Sequence, residues 1–216
     1  MGKIFFILLK FIRSSKLLTQ FIWGIKIDSN LHETFWDLTT LILRKEILTI
    51  KNKKKYLDMG CGQFAILGQF FKMNNLNSEV ISVDIYNKFV INSIKNSLLN
   101  GNVIKVKKSN LFSNINNKFD LISFNPPYVP FSNSDQRKIK FKYIRYSSSE
   151  GTKAAENFLK DAKKYLTKNG EILLGMNTFY VPEKKCIKLI KLQKFKIKKI
   201  TKMIFNTSVV FKIKLI

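Results

Sequence analysis

Short apolar runs alternate with segments of helical periodicity along most of the chain, and this alternation limits the possible folds more than any other feature. The runs are rich in β-branched and aromatic residues, which is typical of buried strands. Strands that alternate with helices predict an α/β fold, a doubly wound and mostly parallel sheet with helices on its faces. The last two runs flank Asn206-Thr207 and predict a C-terminal hairpin that adds an antiparallel edge. We predict seven strands, at 55–58, 80–84, 103–106, 119–124, 171–175, 195–205 and 208–216, and helices at 35–48, 66–71, 90–99 and 152–166.

The N-terminal region is predicted to be a helical extension, residues 1–50, packed on a sheet domain of residues 51–216. Residues 4–12 are strongly apolar, but Lys10 and Arg13 interrupt the pattern and no cleavage site of small residues follows, so a signal peptide is not expected. The pattern fits an amphipathic helix, either packed on the domain or lying on a membrane surface. Packing is favoured because apolar stripes usually face a core. No uninterrupted apolar run reaches the roughly 18 residues that a spanning helix needs.

The balance of charge is strongly basic: 39 Lys plus Arg against 14 Asp plus Glu give a formal +25. Such a field favours anionic partners such as RNA or an acidic membrane surface. All but four of the cations are lysines, however, and A+T-rich codons specify lysine, asparagine and isoleucine together, so codon usage could account for much of the charge. Two cysteines and one histidine support neither a disulfide framework nor a histidine-rich metal site. A cytoplasmic enzyme or binding domain without a metal is the expectation.

A glycine-rich turn follows the first predicted strand. It reads Asp58-Met59-Gly60-Cys61-Gly62, and Gly60 and Gly62 permit positive φ and a close approach of the backbone to a nucleotide-like ligand. Asp58 adds a carboxylate, which suits a ligand with a cationic amino-acid part and no phosphate. Asp84 ends the next predicted strand, where a carboxylate can accept both ribose hydroxyls. Together these residues predict a site for S-adenosylmethionine.

A second motif, Asn125-Pro126-Pro127-Tyr128, follows the fourth predicted strand. Neither proline has an N–H, and each forces the residue before it into extended backbone, so the loop offers carbonyls without competing donors. Asn125 adds a side-chain oxygen, and Tyr128 adds a flat ring that can stack on a planar group. Two acceptors beside a ring select a planar NH2 group, an amide or an exocyclic base amine, and would aim its nitrogen at a methyl donor. Asn125, Pro126 and Tyr128 are therefore the predicted catalytic residues.

These motifs carry a family resemblance. The D-x-G-C-G turn and Val83-Asp84-Ile85 resemble the first two motifs of class I S-adenosylmethionine-dependent methyltransferases. From about residue 28 onward, the chain resembles the short form of the HemK/PrmC branch, the release factor glutamine N5-methyltransferases. N-P-P-Y-V-P is the usual form in that branch, and His-Glu-Thr-Phe-Trp at 32–36 is similar to its E-D-T-F segment.

The resemblance implies a Rossmann-like fold, S-adenosylmethionine as cofactor and a protein glutamine amide as substrate. The implied substrate-binding residues are Asn125, Pro126, Pro127, Tyr128 and Gly151. The implied cofactor residues are Asp58, Gly60 and Gly62 at the methionine part, Asp84 and Ile85 at the ribose, Asn110 and Leu111 at the adenine, and Thr34 and Phe35, which would close over the cofactor.

The chain departs from the branch at two places, which leaves the substrate open. Asn110 replaces the aspartate of the family's S-D-L-F segment. A serine-rich stretch at 146–151 replaces an aromatic-Gly-Gly-x-Asp-Gly segment that touches substrate in the family, and it keeps only Gly151 and an acidic neighbour. The alternatives are transfer to adenine N6 or guanine N2 of rRNA or tRNA, transfer to a small molecule, and a non-catalytic protein with a methyltransferase-like fold.

The expected partners follow from the same resemblance. A translation release factor is the first expectation and RNA the second, and the lysine-rich stretch 130–143 fits either contact with RNA or a solvated loop. DNA is not expected, because no residues remain for a target-recognition domain. Membrane contact by the N-terminal helix is not favoured. Short members of the branch often need a small activating subunit, so the resemblance leaves room for one here.

Overall fold

The structure is a computed structural model that describes residues 2–29, 34–130, 147–204 and 206–216, with the backbone alone for residues 2–6. The helices are α1 (Gly2–Ser14), α2 (Lys16–Trp23), α3 (Leu38–Leu48), α4 (Ile66–Asn74), α5 (Asn87–Leu99), α6 (Lys153–Ala162) and α7 (Glu183–Leu192). The strands are β1 (Lys55–Met59), β2 (Glu79–Asp84), β3 (Lys105–Lys108), β4 (Phe119–Phe124), β5 (Leu166–Asn177), β6 (Phe195–Lys202) and β7 (Ser208–Leu215).

The described strands form one seven-stranded sheet in the order β3-β2-β1-β4-β5-β7-β6. The strands from β3 to β5 run parallel, and β7 lies antiparallel between β5 and β6. This confirms the predicted doubly wound α/β fold with its antiparallel C-terminal hairpin. The strand order reverses direction between β1 and β4. A crevice is expected at their carboxyl ends, and ligands bind there in folds of this kind.

The sheet is buried on both faces, because successive side chains of a strand point to opposite sides. In β1, Leu57 belongs to the core cluster that α6 and α7 cover, whereas Tyr56 belongs to the cluster that α2, α3 and α4 cover. The Tyr56 ring stacks on Phe71 of α4 at 4.1 Å between ring centroids. Both central faces are therefore covered by helices, and the carboxyl edge of the sheet remains for the site.

Several predicted boundaries shift. The predicted helix 35–48 begins only at Leu38, because the Asp37 side chain accepts a hydrogen bond from Thr40 N and caps the helix. The predicted helix 152–166 ends at Ala162. Strand β5 already begins at Leu166, because it continues through the polar stretch 167–170, where its pairing with β4 shifts in register. The third strand lies two residues later than predicted. No separate helix was predicted over α2, which lies within the N-terminal extension, or over α7. In α7 the lysines obscure the apolar periodicity of the helix.

The N-terminal helices are covered on one face only. Thr19 and Trp23 are buried, and Trp36 donates its indole N–H to the Thr19 hydroxyl at 3.1 Å. The opposite sides carry five exposed apolar side chains: Ile7, Leu8, Phe11, Leu17 and Phe21. Within the described ranges, no helix combines the length and the apolar character needed to cross a bilayer. The division at residue 50 and the disfavoured membrane contact remain predictions.

Candidate active site

The glycine turn between β1 and α4 is tied to the end of β2. Gly60 and Gly62 have φ of 66° and 67°. Cys61 N donates to the carbonyl of Val83 at 2.9 Å, and Gly62 N donates to Asp84 Oδ2 at 3.0 Å. A Cβ at Gly60 would lie 3.2 Å from the Phe124 ring, whereas a Cβ at Gly62 would meet nothing within 4 Å. Backbone conformation therefore requires glycine at both positions, and Gly62 leaves open space for a ligand.

Asp84 presents a nearly buried carboxylate at this turn. Its Oδ1 accepts from Tyr86 N at 3.0 Å, in addition to the bond from Gly62 N to Oδ2. Each oxygen has a second lone pair, so the carboxylate can accept two more hydrogen bonds. Burial raises the pKa of Asp84, although the backbone N–H donors oppose this effect. The arrangement suits a pair of hydroxyl donors.

Asp58 lies behind the glycine turn, away from the wall of the crevice. It is 2% exposed and accepts hydrogen bonds from Gly68 N at 3.1 Å and from the Ser123 hydroxyl at 3.4 Å. Burial raises its pKa to about 7. Its contacts join β1, β4 and the first turns of α4. The structure therefore gives Asp58 a position from which it holds the turn in place, and the contact to the methionine part remains a prediction.

Asn125 is held by a carboxylate that the sequence analysis did not identify. Its side-chain NH2 donates to both oxygens of Asp37, each at 3.1 Å. A carboxylate only accepts, so these contacts settle which end of the amide is nitrogen. The other end, Asn125 Oδ1, is buried and has no hydrogen-bond partner among the described residues. This oxygen lies beside Gly175 of β5, where an added Cβ would be 3.4 Å away, and it is not exposed to the cavity, so a substrate can reach it only if the Asn125 side chain moves.

The remainder of the Asn-Pro-Pro-Tyr loop is fixed by the same carboxylate. The Tyr128 hydroxyl donates to Asp37 Oδ2 at 3.3 Å, and its ring stacks on Tyr180 with 6.0 Å between centroids. Burial raises the pKa of Tyr128, so the phenol remains a donor across the physiological range. Pro126 is buried, and Pro127 faces the crevice. One acidic side chain at the start of α3 thus orients both polar members of the loop.

A cavity of about 490 Å³ opens between the glycine turn and this loop. It collects many of the predicted site residues on one wall: Gly60, Gly62, Asp84, Ile85, Asn110, Leu111, Asn125 and Pro127. Another set of lining residues was not predicted: Met59, Tyr86, Phe89, Ser109, Phe124, Ser147, Ser148, Lys153, Ala154 and Asn157. Four of the polar ones, Ser147, Ser148, Lys153 and Asn157, lie just before α6 or in its first turns, and Tyr86 and Ser109 follow β2 and β3.

Other predicted site residues lie outside this wall. Phe35 meets Phe64 of the glycine turn edge to face, with 5.3 Å between centroids, and Thr34 precedes it. Gly151 packs against the loop: a Cβ there would lie 2.3 Å from the Tyr128 carbonyl oxygen. These residues support elements of the site and do not themselves line the cavity. His32, Glu33 and residues 131–143 of the lysine-rich stretch lie outside the described residues.

The residues present fit S-adenosylmethionine. The cavity offers a carboxylate with free lone pairs at Asp84, a backbone that can be approached closely at Gly62, and apolar walls at Ile85, Phe89 and Leu111. A carboxylate suits ribose hydroxyls, and apolar walls suit an adenine ring. Asn110 stands on the same wall, where its amide oxygen can accept a hydrogen bond from the adenine amino group.

Comparison with known proteins supports this interpretation. A family model described as the methyltransferase small domain matches residues 33–202. A protein of Methanocaldococcus jannaschii, provisionally named a protein N5-glutamine methyltransferase, is 29% identical over 159 residues, which are 73% of this chain and 78% of that protein. The release factor glutamine methyltransferase of Buchnera aphidicola is 30% identical over 149 residues, which are 63% of this chain and 51% of that protein.

Other relatives act on RNA by name. Ribosomal RNA small subunit methyltransferase C of Haemophilus influenzae is 29% identical over 129 residues, which are 60% of this chain. The match spans 34% of that protein, so this chain covers only part of it and about half of the Buchnera protein. Among solved structures, a methyltransferase of Pyrococcus furiosus superposes with a TM-score of 0.66 at 18% identity, covering 94% of both chains. At this identity the structural likeness concerns the fold.

Proposed function

The chain belongs to the methyltransferase small-domain family, and from this premise we propose that it transfers the methyl group of S-adenosylmethionine to the nitrogen of a planar NH2 group, with a glutamine side chain of a translation release factor as the substrate. The observation that carries the proposal is the cavity, which brings Asn125 and Pro127 of the loop to the same space as Gly62 and Asp84. A loop of acceptors that shares a cavity with the cofactor turn fits a substrate whose N–H group must be aimed at a methyl donor. The Methanocaldococcus and Buchnera relatives support the choice of glutamine.

The residues of the loop perform the positioning. An amide nitrogen is a poor nucleophile because its lone pair is delocalised into the carbonyl. After a movement of the Asn125 side chain that exposes Oδ1 to the cavity, this oxygen accepts one N–H of the substrate and the Pro126 carbonyl accepts the other, which raises the electron density on the nitrogen and fixes its direction. Bound S-adenosylmethionine supplies an electrophilic methyl carbon. As the C–N bond formed, the bond between the methyl carbon and sulfur would break and leave the neutral thioether as the leaving group. The surplus proton would pass from the nitrogen to water, so the chain needs no dedicated general base.

A second candidate acceptor is an exocyclic amine of RNA, adenine N6 or guanine N2. It presents the same planar NH2 to the loop. Lys153 on the cavity wall favours it, because a cation beside the acceptor loop suits a phosphate-bearing substrate. The rRNA relatives of Haemophilus support it as well. The cytoplasmic location and a small activating subunit remain predictions in either case.

The test is transfer from radiolabelled S-adenosylmethionine. The wild-type chain is incubated in parallel with a purified release factor that contains Gly-Gly-Gln and with total RNA. Asn125→Ala should lower the transfer rate about 100-fold or more, because the nucleophile loses its direction, while cofactor affinity measured by calorimetry stays close to wild type. Asn116→Ala, at an exposed asparagine of a loop between β3 and β4, is the matched control and should be fully active.

The outcomes separate the candidates. Label in the release factor, lost in Asn125→Ala, supports the proposal. Label in RNA alone replaces it by the second candidate and leaves the reaction class intact. If the wild-type chain binds no S-adenosylmethionine in calorimetry, both candidates are wrong.

A further inference from the structure

Helix α7 begins at the rim of the candidate site. Phe179 and Tyr180 lie in the short connection from β5 to α7, and the Tyr180 ring stacks on Tyr128 of the acceptor loop. Gly151 packs against both Tyr128 and Val181: a Cβ there would lie 3.0 Å from Val181 Cγ2. Anything bound along α7 therefore reaches the acceptor loop at the N-terminal end of the helix.

One face of α7 carries three exposed lysines, Lys184, Lys188 and Lys191. Their spacing of four and three residues places them in one row along the helix, about 10 Å from first to last at 1.5 Å per residue. With Ile187 and Leu192 they line a surface cavity of about 410 Å³. An uninterrupted row of like charges is repulsive unless an anion neutralises it.

The carboxylates around this lysine row are already engaged elsewhere. Glu183 pairs with Lys202 of β6, and Glu150 pairs with Lys185. Among the described residues, no carboxylate lies within ion-pair distance of Lys184, Lys188 or Lys191. The described part of the chain thus leaves the row uncompensated.

Aromatic rings continue from the helix start to the loop. Phe179 is 75% exposed and stands edge to face with Tyr180 at 5.1 Å, and Tyr180 in turn stacks on Tyr128. A partner that covers the Phe179 ring would be stabilised by the apolar area that this removes from water. Nucleobases stack on such rings, and lysine rows neutralise the phosphates between them.

We propose that the lysine row of α7 and the ring of Phe179 form a docking surface for single-stranded RNA. The phosphates run along Lys184, Lys188 and Lys191, and a base stacks on Phe179 at the rim of the site. Passage of the strand from there to the acceptor loop belongs to the second candidate acceptor, an exocyclic amine of RNA. RNA fits better than an acidic protein segment, because a nucleobase can stack on the exposed ring of Phe179, whereas a carboxylate side chain cannot. This inference rests on the proposed methyl transfer in one respect: the end of the surface beside the acceptor loop is taken to be the place of the reaction. RNA binding itself is independent of catalysis.

The experiment is fluorescence anisotropy with a short labelled single-stranded RNA, at several salt concentrations and without cofactor. The triple variant Lys184→Gln, Lys188→Gln, Lys191→Gln should bind at least tenfold more weakly. Its slope of log K against log salt should be smaller by about 2, since each lost phosphate contact on a single strand removes about 0.7. The charge-matched control is Lys95→Gln, Lys107→Gln, Lys118→Gln, and its affinity and slope should stay near wild type.

The stacking contact is tested by Phe179→Ala. We expect about a fivefold or larger loss of RNA affinity with an unchanged salt slope, the lower bound for one stacked base. Phe21→Ala removes another exposed phenylalanine, on α2, and should have no effect.

The outcomes are distinct from those of the catalytic proposal. Asn125→Ala should bind RNA as the wild type does, although it does not transfer methyl groups. If the two lysine triples weaken binding equally, only the net charge matters and the docking surface is wrong, whether or not methyl transfer occurs. If poly-glutamate of equal charge displaces the RNA as well as unlabelled RNA does, and Phe179→Ala has no effect, the surface serves an acidic protein and the RNA assignment is overturned.

Discussion

Asp37 combines two tasks in one side chain. Its Oδ1 accepts from Thr40 N at 2.7 Å and caps α3, and both of its oxygens accept the side-chain NH2 of Asn125. The first task belongs to helix stability and the second to the orientation of the acceptor loop. A variant that keeps the cap and alters the second contact can separate them.

Asp37→Asn is that variant, because asparagine is as good an N-cap as aspartate. An amide offers one acceptor and one donor, so it cannot hold both N–H groups of Asn125 and favours the flipped rotamer. We expect the transfer rate to fall about 10- to 100-fold, as for a misplaced acceptor of the substrate N–H. Cofactor affinity and melting temperature should change little. The measurement is steady-state kinetics with calorimetry and thermal denaturation.

Asp37→Ala is the companion variant, which also removes the cap. It should lower the free energy of unfolding by about 1 kcal/mol in addition to the loss of activity. Full activity of Asp37→Asn would show that the carboxylate does not orient the loop.

Asp58 makes stability depend on pH in a defined direction. Burial raises its pKa in the folded chain to about 7, above the value near 4 expected in the unfolded chain. Between these values the folded state binds the proton and the unfolded state does not, so stability falls as pH rises. The slope reaches at most about 1.4 kcal/mol per pH unit, and the loss is complete above about pH 7. Asp58→Asn does not titrate, so its stability relative to wild type should rise over this interval.

Asp120→Asn is the control with the opposite sign. Burial alone would raise the pKa of Asp120, but hydrogen bonds from Thr167 and from the backbone of Lys55 and Lys54 outweigh it and lower the pKa. That stabilisation is present above the unfolded pKa and is lost as pH falls through the folded one. Urea unfolding from about pH 2 to pH 8 should therefore show Asp58→Asn gaining stability relative to wild type as pH rises from about 4 to about 7, whereas Asp120→Asn should lose relative stability as pH rises toward about 4 and run parallel to wild type above it. Parallel curves would contradict the assignment for Asp58.

At the scale of elements, the junction of the serine-rich stretch with the acceptor loop depends on Gly151. Its φ is +71°, and a Cβ would lie 2.3 Å from the Tyr128 carbonyl oxygen. Gly101 has a similar φ of +63°, but a Cβ there would meet nothing within 4 Å. An alanine would be strained by the positive φ at both positions, but only at position 151 would its Cβ collide with a neighbouring atom.

Gly151→Ala should therefore cost more than Gly101→Ala. The left-handed backbone alone accounts for about 1–2 kcal/mol in each variant. In Gly151→Ala the Tyr128 carbonyl must also move, and with it the loop, so the transfer rate should fall together with stability. Urea unfolding and kinetics on both variants provide the measurement. Equal stabilities and unchanged kinetics would show that the junction tolerates a side chain.

The elements that the sequence predicts well are those whose residue types restrict the backbone directly. Local residue types alone determine the backbone at glycines 60 and 62, at the prolines of the acceptor loop and in the apolar strand β4. Asp37 was missed because its function depends on a contact with Asn125, 88 residues away. In the sequence Asp37 falls inside the predicted helix 35–48, and nothing local reveals its partner.

The start of α6 was missed for a related reason. Ser147, Lys153 and Asn157 reach the cavity because β5, which follows α6, pairs with β4 in the centre of the sheet. Local periodicity predicts a helix there but not the edge at which it starts. The parallel sheet order brings such residues together, and the motifs mark only one side of the cavity.

At the scale of the whole molecule, the formal charge of +25 opposes compaction. The ion pairs of the described residues engage few of the 39 cations, and most of these pairs are exposed, where each contributes little. Self-repulsion of this kind is screened by salt. Raising the ionic strength from about 0.01 M to about 0.15 M shortens the Debye length from about 30 Å to about 8 Å.

The melting temperature should therefore rise with sodium chloride over this interval, measured by differential scanning calorimetry on the full chain. Chloride is the appropriate anion, because sulfate also strengthens apolar burial and would confound the result. The triple variant of the α7 lysine row has its formal charge lowered from +25 to +22, so it should melt higher than wild type at low salt and gain less from added salt. A melting temperature that falls with salt would mean that attractive pairs outweigh repulsion. The lysines would then belong to networks that stabilise the fold, and the excess of positive charge would not be free to attract an anionic partner.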